Sequence, residues 1–208
     1  MIEEFKKRLL SSLIIIPIAI FFTFQGSVFF MFFLGILFLA TSYEWLKMSK
    51  NNKLKFLGII FLMFSFYATF EIREYNSFEY FLFIVTVCIF TDIGGYLFGK
   101  TFKGPKLVKI SPNKTYAGVF GSFFLALTAG LIYLNYFSKT EIDDTDFIFL
   151  LILFISFISQ IGDLIISYFK RKAKLKDTGK ILPGHGGLLD RIDGLVFVMP
   201  IIYLLSKI

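Results

Sequence analysis

Cysteine and histidine are almost absent from this chain of 208 residues, which has one of each, Cys88 and His185. A single cysteine excludes a disulfide framework within the chain, and so few of either residue exclude the clusters that hold zinc. Internal repeats, low-complexity tracts and polar linkers are also missing. We therefore expect one domain, in which residues 1–90 form N-terminal helices and residues 91–208 form the helices and loops that carry the chemistry.

Apolar residues, by contrast, make up 56% of the chain, and phenylalanine alone occurs 30 times. A soluble domain is about 45–50% apolar and lacks repeated apolar runs of membrane-spanning length. Such runs occupy residues 9–24, 27–46, 55–70, 79–99, 117–138, 147–169 and 190–206. They are continuously apolar rather than alternating, which argues against a membrane β-barrel. The sequence predicts an all-α polytopic membrane bundle with seven transmembrane helices.

The charges alternate from one loop to the next and so predict how the helices are oriented. Of the 22 lysines and arginines, all except Arg73, Lys139 and Lys207 lie at the N-terminus or after the second, fourth and sixth runs. Because positive loops stay in the cytoplasm, we expect a cytoplasmic N-terminus and a location in the cell inner (plasma) membrane. A signal peptide is the alternative for the N-terminus, but a second apolar run follows at once.

The net charge of +7 would suggest nucleic acid as a partner for a soluble protein. Here the cations flank apolar runs, so we expect membrane lipids and nucleotides as partners and no nucleic acid. Two basic loops, 100–116 and 170–190, are predicted to face the cytoplasm, where nucleotides are found.

Polar residues inside the apolar runs are costly in a membrane and usually functional. The sixth run carries Ser156, Gln160, Asp163 and Ser167 on one helix face. Asp163 precedes Lys170 by seven residues, which places it about 10 Å from the cytoplasmic end of the helix at about 1.5 Å per residue. The stripe predicts a polar cavity open to the cytoplasm, and a hydrogen bond to another helix is the alternative.

The fourth run carries Asp92 at a similar depth, followed by Gly94, Gly95 and Gly99. The glycines predict close packing against another helix. Asp92 is a candidate to complete a metal site, to hold a lysine or to line a substrate cleft.

The first basic loop ends just before the fifth run, where Thr115 or Asn113 is a fair N-cap. Lys114 lies beside this helix start, and a helix N-terminus with a nearby lysine can bind phosphate. The GxxxxGK[ST] spacing of a P-loop is absent.

The second basic loop leads into the most informative segment, residues 183–193, which carries three glycines. Glycine lets backbone N–H groups approach an anion closely. Asp190 and Asp193 share one helix face, and Asp163 joins them if the sixth and seventh runs lie side by side. Three carboxylates predict Mg²⁺ rather than zinc. His185 either donates to a phosphate or fixes the glycine turn.

Two other charged residues are interpreted more simply. Arg191 is expected to bind phosphate or to pair with an aspartate. Glu44, near the end of the second run, is expected to pair with a basic residue and is assigned no chemistry.

Together these segments resemble the signature of the phosphatidate cytidylyltransferase family, also called CDP-diacylglycerol synthases. The stretches concerned are Ser167-x-x-Lys170-Arg171, Lys176-Asp177, Pro183-Gly184-His185-Gly186-Gly187-x-x-Asp190-Arg191-x-Asp193, Gly162-Asp163-Leu164, Asp92-x-Gly94 and Ser111-Pro112-x-Lys114-Thr115. The resemblance covers about residues 91–203.

The resemblance implies an enzyme that makes CDP-diacylglycerol and pyrophosphate from phosphatidic acid and CTP with Mg²⁺. It also implies a homodimer and a second cation such as K⁺. The family's metal aspartates fall on Asp163, Asp190 and Asp193. Other catalytic residues fall on Lys170, Arg171, Arg191 and His185, and substrate contacts on Lys114, Ser111, Asp92, Lys176, Asp177, Gly184, Gly186 and Gly187.

Other functions fit part of the pattern. A polyprenol kinase or an archaeal-type lipid cytidylyltransferase would also use CTP at a membrane. A transporter or channel would also carry Asp and Gln inside a helix, but the glycine-rich loop and the three aspartates argue against it. A purely structural membrane protein would not need Asp163 at depth.

Overall fold

The computed structural model describes residues 2–108, 111–137, 145–184 and 186–207, without the side chains of residues 2–10, 112–113 and 145. The helices are α1 Ile2–Gln25, α2 Ser27–Met48, α3 Asn52–Glu71, α4 Phe78–Phe102, α5 Tyr116–Phe137, α6 Thr145–Lys172 and α7 Leu189–Leu205. A π-helical turn, Ile72–Asn76, joins α3 to α4. The predicted all-α polytopic bundle is confirmed.

A short hairpin between α4 and α5 is the part of the fold that the apolar pattern does not predict. Its strands are β1, Lys106–Val108, and β2, Ser111–Thr115, which pair antiparallel. Lys106 lies opposite Thr115, and Val108 lies opposite Ser111. The hairpin turns the first basic loop back toward the helices instead of leaving it extended.

Five of the helices are long and apolar enough to cross a membrane, which makes this a membrane protein. Their mean hydropathy lies between 1.6 and 2.3. Large apolar side chains face outward, among them Val28 and Phe120, each 73% exposed. Such a surface suits lipid rather than water. The described apolar part of α1, Ser11–Gln25, and the 17 residues of α7 are shorter, so seven crossings remain a prediction.

Side-chain caps set where three helices begin. Asn51 accepts a hydrogen bond from Lys53 N at 2.9 Å before α3, and Ser77 accepts one from Tyr80 N at 3.0 Å before α4. Thr115 Oγ1 accepts one from Gly118 N at 3.1 Å before α5. Each cap satisfies one of the free N–H groups in the first turn. The prediction of Thr115 as the cap is confirmed, and the side chain of Asn113 lies outside the described residues.

Helices α4 and α5 pack closely through their glycines, as predicted. A Cβ atom at Gly94 would meet the backbone of Gly121, and one at Gly95 would lie 2.8 Å from Ser122 Oγ. Ser122 Oγ also donates to the carbonyl of Thr91 at 2.8 Å. Without side chains at the crossing the backbones come into contact, which is how membrane helices associate.

We expect Gly94→Ala to lower stability by about 1–3 kcal/mol, because its Cβ would meet backbone atoms that cannot move aside. The matched control is Gly35→Ala on α2, where an added Cβ would meet nothing within 4 Å. Thermal unfolding in detergent measures the difference. Equal midpoints for Gly94→Ala and the wild type would contradict the packing argument.

Helices α6 and α7 also cross closely. A Cβ atom at Gly162 would lie 2.8 Å from the carbonyl oxygen of Asp193, and one at Gly194 would meet Ser159. Below this crossing the buried side chains of Ile155, Val198 and Ile202 belong to the main apolar core. The crossing holds Asp163 and Asp193 side by side.

Candidate active site

The hairpin brings a lysine to an aspartate of α6. Lys114 Nζ on β2 lies 2.6 Å from Asp163 Oδ2, and the two side chains are 21% and 33% exposed. Ser167, one turn further along α6, donates from Oγ to Asp163 Oδ1 at 3.2 Å. Asp163 therefore has a cation on one oxygen and a hydroxyl on the other.

Asp193 lies next to this pair. Its side chain interacts with that of Asp163, and only 6% of the residue is exposed. Asp193 Oδ1 also accepts a hydrogen bond from Gly194 N at 2.9 Å. Two carboxylates in contact repel each other when both are charged, so the site suits a cation between or beside them.

Asp92 on α4 faces the same group of charges. It is exposed, and it lies within electrostatic range of Asp163, Lys114 and Arg191. Three helices and the hairpin thus contribute charged side chains to one place. Hereafter the carboxylate site means Asp92, Lys114, Asp163 and Asp193.

The polar stripe of α6 divides into two parts. Ser156 Oγ accepts a hydrogen bond from Thr91 Oγ1 at 2.9 Å, and Gln160 Nε2 donates to the same oxygen at 3.4 Å. Hydrogen bonding between helices, the alternative considered for the stripe, therefore applies to Ser156. Toward the cytoplasmic end predicted for α6, Asp163 belongs to the carboxylate site, and Ser167 donates a hydrogen bond to it.

Asp190 has partners of its own in this structure, and its sharing of a cation with the other two aspartates stays a prediction. Its Oδ1 lies 2.7 Å from Lys170 Nζ. Its Oδ2 accepts from Thr178 N at 2.8 Å and from Gly187 N at 3.2 Å. Both Asp190 oxygens are thus engaged. The ion pair with Lys170, one of the predicted catalytic residues, ties the end of α6 to α7.

The glycine-rich segment forms a tight turn. Leu182 N donates to Gly186 O at 3.0 Å, and Gly186 N donates to Leu182 O at 3.2 Å. Gly184 and Gly186 have φ of 77° and 87°, a region that side chains disfavour. The Asp177 side chain lies directly against Gly186. His185, which was predicted to act in this turn, lies outside the described residues.

The other predicted site residues are not members of the carboxylate site. Ser111 is the first residue of β2, three positions before Lys114. Arg171 Nη1 donates to Leu175 O at 3.3 Å, and Lys176 is exposed in the loop. Arg191 is exposed on the first turn of α7, in reach of Asp92 electrostatically.

Glu44 is the residue that the sequence interpretation missed. It is 1% exposed, although it is a carboxylate on α2. Glu44 Oε1 accepts from Leu188 N at 2.9 Å, and Oε2 accepts from Leu189 N at 2.9 Å and Thr178 Oγ1 at 2.8 Å. The prediction of a basic partner is wrong, because the carboxylate instead caps the start of α7.

Two glycines make room for this carboxylate. A Cβ atom at Gly179 would meet Glu44, and one at Gly187 would lie 2.7 Å from Glu44 Oε2 and would also meet Thr178. Helix α2 therefore contacts the loop from which α7 starts. The first turn of α7 carries Asp190, and Asp193 follows three positions later.

The donor set of the carboxylate site fits Mg²⁺. Within the residues that the structure describes, no group of three or more histidine, cysteine or acidic side chains has the arrangement of a metal site. Mg²⁺, however, is usually held by one or two carboxylates together with substrate phosphates and water. Asp163 and Asp193, as adjacent oxygen donors, meet that requirement, so Mg²⁺ stays a prediction that these two residues can satisfy.

The sequence model of the cytidylyltransferase family matches residues 54–208, which include every member of the carboxylate site. The chain belongs to this family. The resemblance noted in the sequence is confirmed, and the match begins earlier than residue 91. Glu44 lies ahead of it, in the part of the chain that the family match leaves out.

The names of individual relatives are more specific than the name of the family. A phosphatidate cytidylyltransferase of Rickettsia felis is 30% identical over an alignment of 217 positions, which covers 96% of this chain and 91% of the relative. One of Rickettsia typhi is 37% identical over 77% of this chain and 73% of its own length. One of Brucella melitensis is 41% identical over 61% of this chain, and the match spans only 46% of that longer relative.

Proposed function

We propose that this cytidylyltransferase transfers CMP from CTP to phosphatidic acid and so forms CDP-diacylglycerol and pyrophosphate. The observation that carries the proposal is the carboxylate site, in which Lys114 pairs with Asp163 beside Asp193, all within the family match. The names of the relatives supply the lipid and the nucleotide. Asp92 and Asp163 lie on helices long and apolar enough to cross a membrane, where a lipid phosphate can reach them.

The proposed reaction requires the phosphate charges to be neutralised and does not require a nucleophile from the protein. An oxygen of the lipid phosphate attacks the α-phosphorus of CTP, and the bond from that phosphorus to the bridging oxygen breaks. Pyrophosphate leaves with the bond electrons. The attacking oxygen is already anionic, so no strong base is required, and positioning and neutralisation of charge dominate.

Lys114 and Arg191 are the cations placed to hold phosphate oxygens. Lys114 is partly exposed and can exchange Asp163 for a phosphate, while Arg191 is exposed near Asp92. Lys170 is engaged by Asp190 at 2.7 Å, so its first task is to hold α6 and α7 together. Asp163 and Asp193 would hold Mg²⁺, which supplies positive charge to the phosphates when bound.

The orientation and assembly complete the proposal. The positive charge of the two basic loops, 100–116 and 170–190, supports a site on the cytoplasmic side of the inner (plasma) membrane, where CTP is available. A homodimer and a second cation such as K⁺ belong to the proposal through the family resemblance alone. Light scattering of the purified protein tests the dimer.

A pyrophosphate-release assay tests the reaction. Purified protein in detergent should release pyrophosphate with CTP, phosphatidic acid and Mg²⁺, and should stop when any one of the three is omitted. Release without the lipid would indicate simple CTP hydrolysis. No release with all three would reject the proposal.

Lys114→Ala should weaken the use of CTP more than the turnover rate. The loss of a charged hydrogen bond costs about 1.5–3 kcal/mol, or about 10–100-fold in kcat/KM. The matched control is Lys106→Ala, an exposed lysine on β1 of the same hairpin. An unchanged dependence on CTP concentration in Lys114→Ala would remove this lysine from the nucleotide site.

A further inference from the structure

An apolar cavity of about 590 Å³ lies between α1 and the rest of the bundle. Helices α1, α2, α3, α4 and α7 contribute to its wall. Among the described residues that line it, Arg191 alone is charged. A cavity of this volume is within the range of about 300–1,000 Å³ that small-molecule sites occupy.

Hydrogen bonds attach the described apolar part of α1, Ser11–Gln25, near its two ends. At one end Ser11 Oγ donates to Pro183 O at 3.1 Å. At the other, Arg73 donates to the carbonyls of Thr23 and Phe24 at 2.9 to 3.1 Å. Between these ends α1 is held to α2 by the stacked rings of Phe22 and Phe33, with centroids 5.4 Å apart.

The cavity is long, and Arg191, the charged residue of its lining, precedes Asp193 by two positions on α7. Its lining runs along α1 from Ser12 to Phe24, which corresponds to about 18 Å at about 1.5 Å per residue. One end meets the glycine-rich segment through Leu182 and Leu188, and Arg191 lies there. Arg191 is in electrostatic reach of Asp92. The charged end of the cavity therefore borders the place where the chemistry is proposed.

The occupant must be apolar and must have one anionic end. A space this apolar offers water too few polar partners, and its lining residues Ile20 and Phe24 are more than half exposed, so lipid can enter it from the membrane. Its length is close to one leaflet of a bilayer, whose hydrocarbon core is about 30 Å thick in total. An acyl chain matches the wall, and a phosphate at its head matches Arg191.

We infer that this cavity holds an acyl chain of the lipid acceptor while the lipid phosphate lies at Arg191, next to the carboxylate site. The inference rests on the proposed function for the identity of the acceptor as phosphatidic acid. It gives α1, which lies outside the family match, the role of closing the cavity over the acyl chain. It also makes the rate depend on acyl-chain length.

Filling the cavity tests the inference. Ala19→Trp on α1 and Thr69→Trp on α3 add bulk from two different walls. Ile18→Trp is the matched control, because Ile18 is the neighbouring residue on α1, is 44% exposed and is not part of the lining. Each variant is assayed with dioleoyl and with dihexanoyl phosphatidic acid in detergent micelles.

The two filled variants should lose about tenfold or more in kcat/KM for the dioleoyl lipid, because several buried methylenes lose their site. With the dihexanoyl lipid they should stay close to the wild type, and Ile18→Trp should do so with both lipids. Equal losses with both lipids, or no loss with the dioleoyl lipid in either filled variant, would overturn the inference.

Failure of this inference can be distinguished from failure of the proposed function. If the wild type releases no pyrophosphate with either lipid, the proposed function fails, and native mass spectrometry then tests the cavity directly. Retention of dioleoyl phosphatidic acid by the wild type and Ile18→Trp, but not by Ala19→Trp and Thr69→Trp, would support the cavity as a lipid site. Equal retention by all four proteins would overturn it.

Discussion

Asp193→Asn is expected to lower turnover by at least about a hundredfold, while the protein still inserts and folds. Asparagine has nearly the same shape and keeps an oxygen for the Gly194 N–H, which the native side chain accepts at 2.9 Å. What it loses is the negative charge beside Asp163. Because the proposed reaction depends on cation binding and on phosphate charge, the loss should appear in kcat rather than in stability.

Asp163→Asn should show a loss of the same size. Asp163 holds Lys114 at 2.6 Å and interacts with Asp193, so the amide would weaken both the lysine contact and the cation site. The matched control is Asp146→Asn, which changes an exposed aspartate in the first turn of the same helix. Wild-type turnover in either Asp163→Asn or Asp193→Asn would reject these two residues as the cation ligands.

Glu44→Gln is the second change for which we expect a large effect, and here both stability and turnover should fall. The two carboxylate oxygens accept three hydrogen bonds from Thr178, Leu188 and Leu189. An amide offers only one acceptor oxygen, so its NH₂ group must face at least one backbone N–H. Leaving such a buried group unsatisfied costs about 1–3 kcal/mol. The start of α7 would shift, and with it Asp193.

The size of the kinetic effect follows from this geometry. A misplacement of about 1 Å in a catalytic group can cost about a hundredfold, so a fall of about tenfold or more in kcat is expected for Glu44→Gln. Glu79→Gln is the matched control, since Glu79 is exposed at the start of α4. Comparing Glu44→Gln, Thr178→Val and the double variant by kcat and thermal midpoint checks whether the two act together.

A strictly additive double variant, or a Glu44→Gln enzyme with a wild-type kcat and midpoint, would contradict this role. Glu44 is a positioning residue in this account, because it contacts the loop and the helix start rather than substrate. A kcat that falls while the KM for CTP stays constant is the pattern that a positioning role predicts.

The sequence predicts the helices well because the membrane imposes a length and an apolar composition on each of them. It also predicts Asp163, since a carboxylate at membrane depth is conspicuous, and it predicts Lys114 as a cation beside a helix start. It does not predict that these two residues pair. That contact depends on the β1–β2 hairpin, whose short strands leave no clear periodic pattern.

The contacts of Asp190 and Glu44 could not be predicted from the sequence. The spacing of Asp190 and Asp193 places both on one face of α7, but only the folded loop reveals that Thr178 N and Gly187 N occupy an oxygen of Asp190. Glu44 looks like an interfacial charge at a helix end, and its partners are 134 to 145 residues away in the chain. The signal that could have identified Glu44 is its position within an apolar run, beside Trp45. Trp45 is itself buried.

Following the phosphates of CTP shows whether the carboxylate site transfers CMP to the lipid. In the presence of phosphatidic acid and Mg²⁺, the wild-type protein should transfer label from the α-phosphate of CTP into the organic-solvent-soluble lipid. Label from the γ-phosphate should appear only in pyrophosphate, and Asp163→Asn should leave the lipid unlabelled in both cases. A γ-label in the lipid would show a kinase, and an α-label transferred equally well by Asp163→Asn would contradict the carboxylate site.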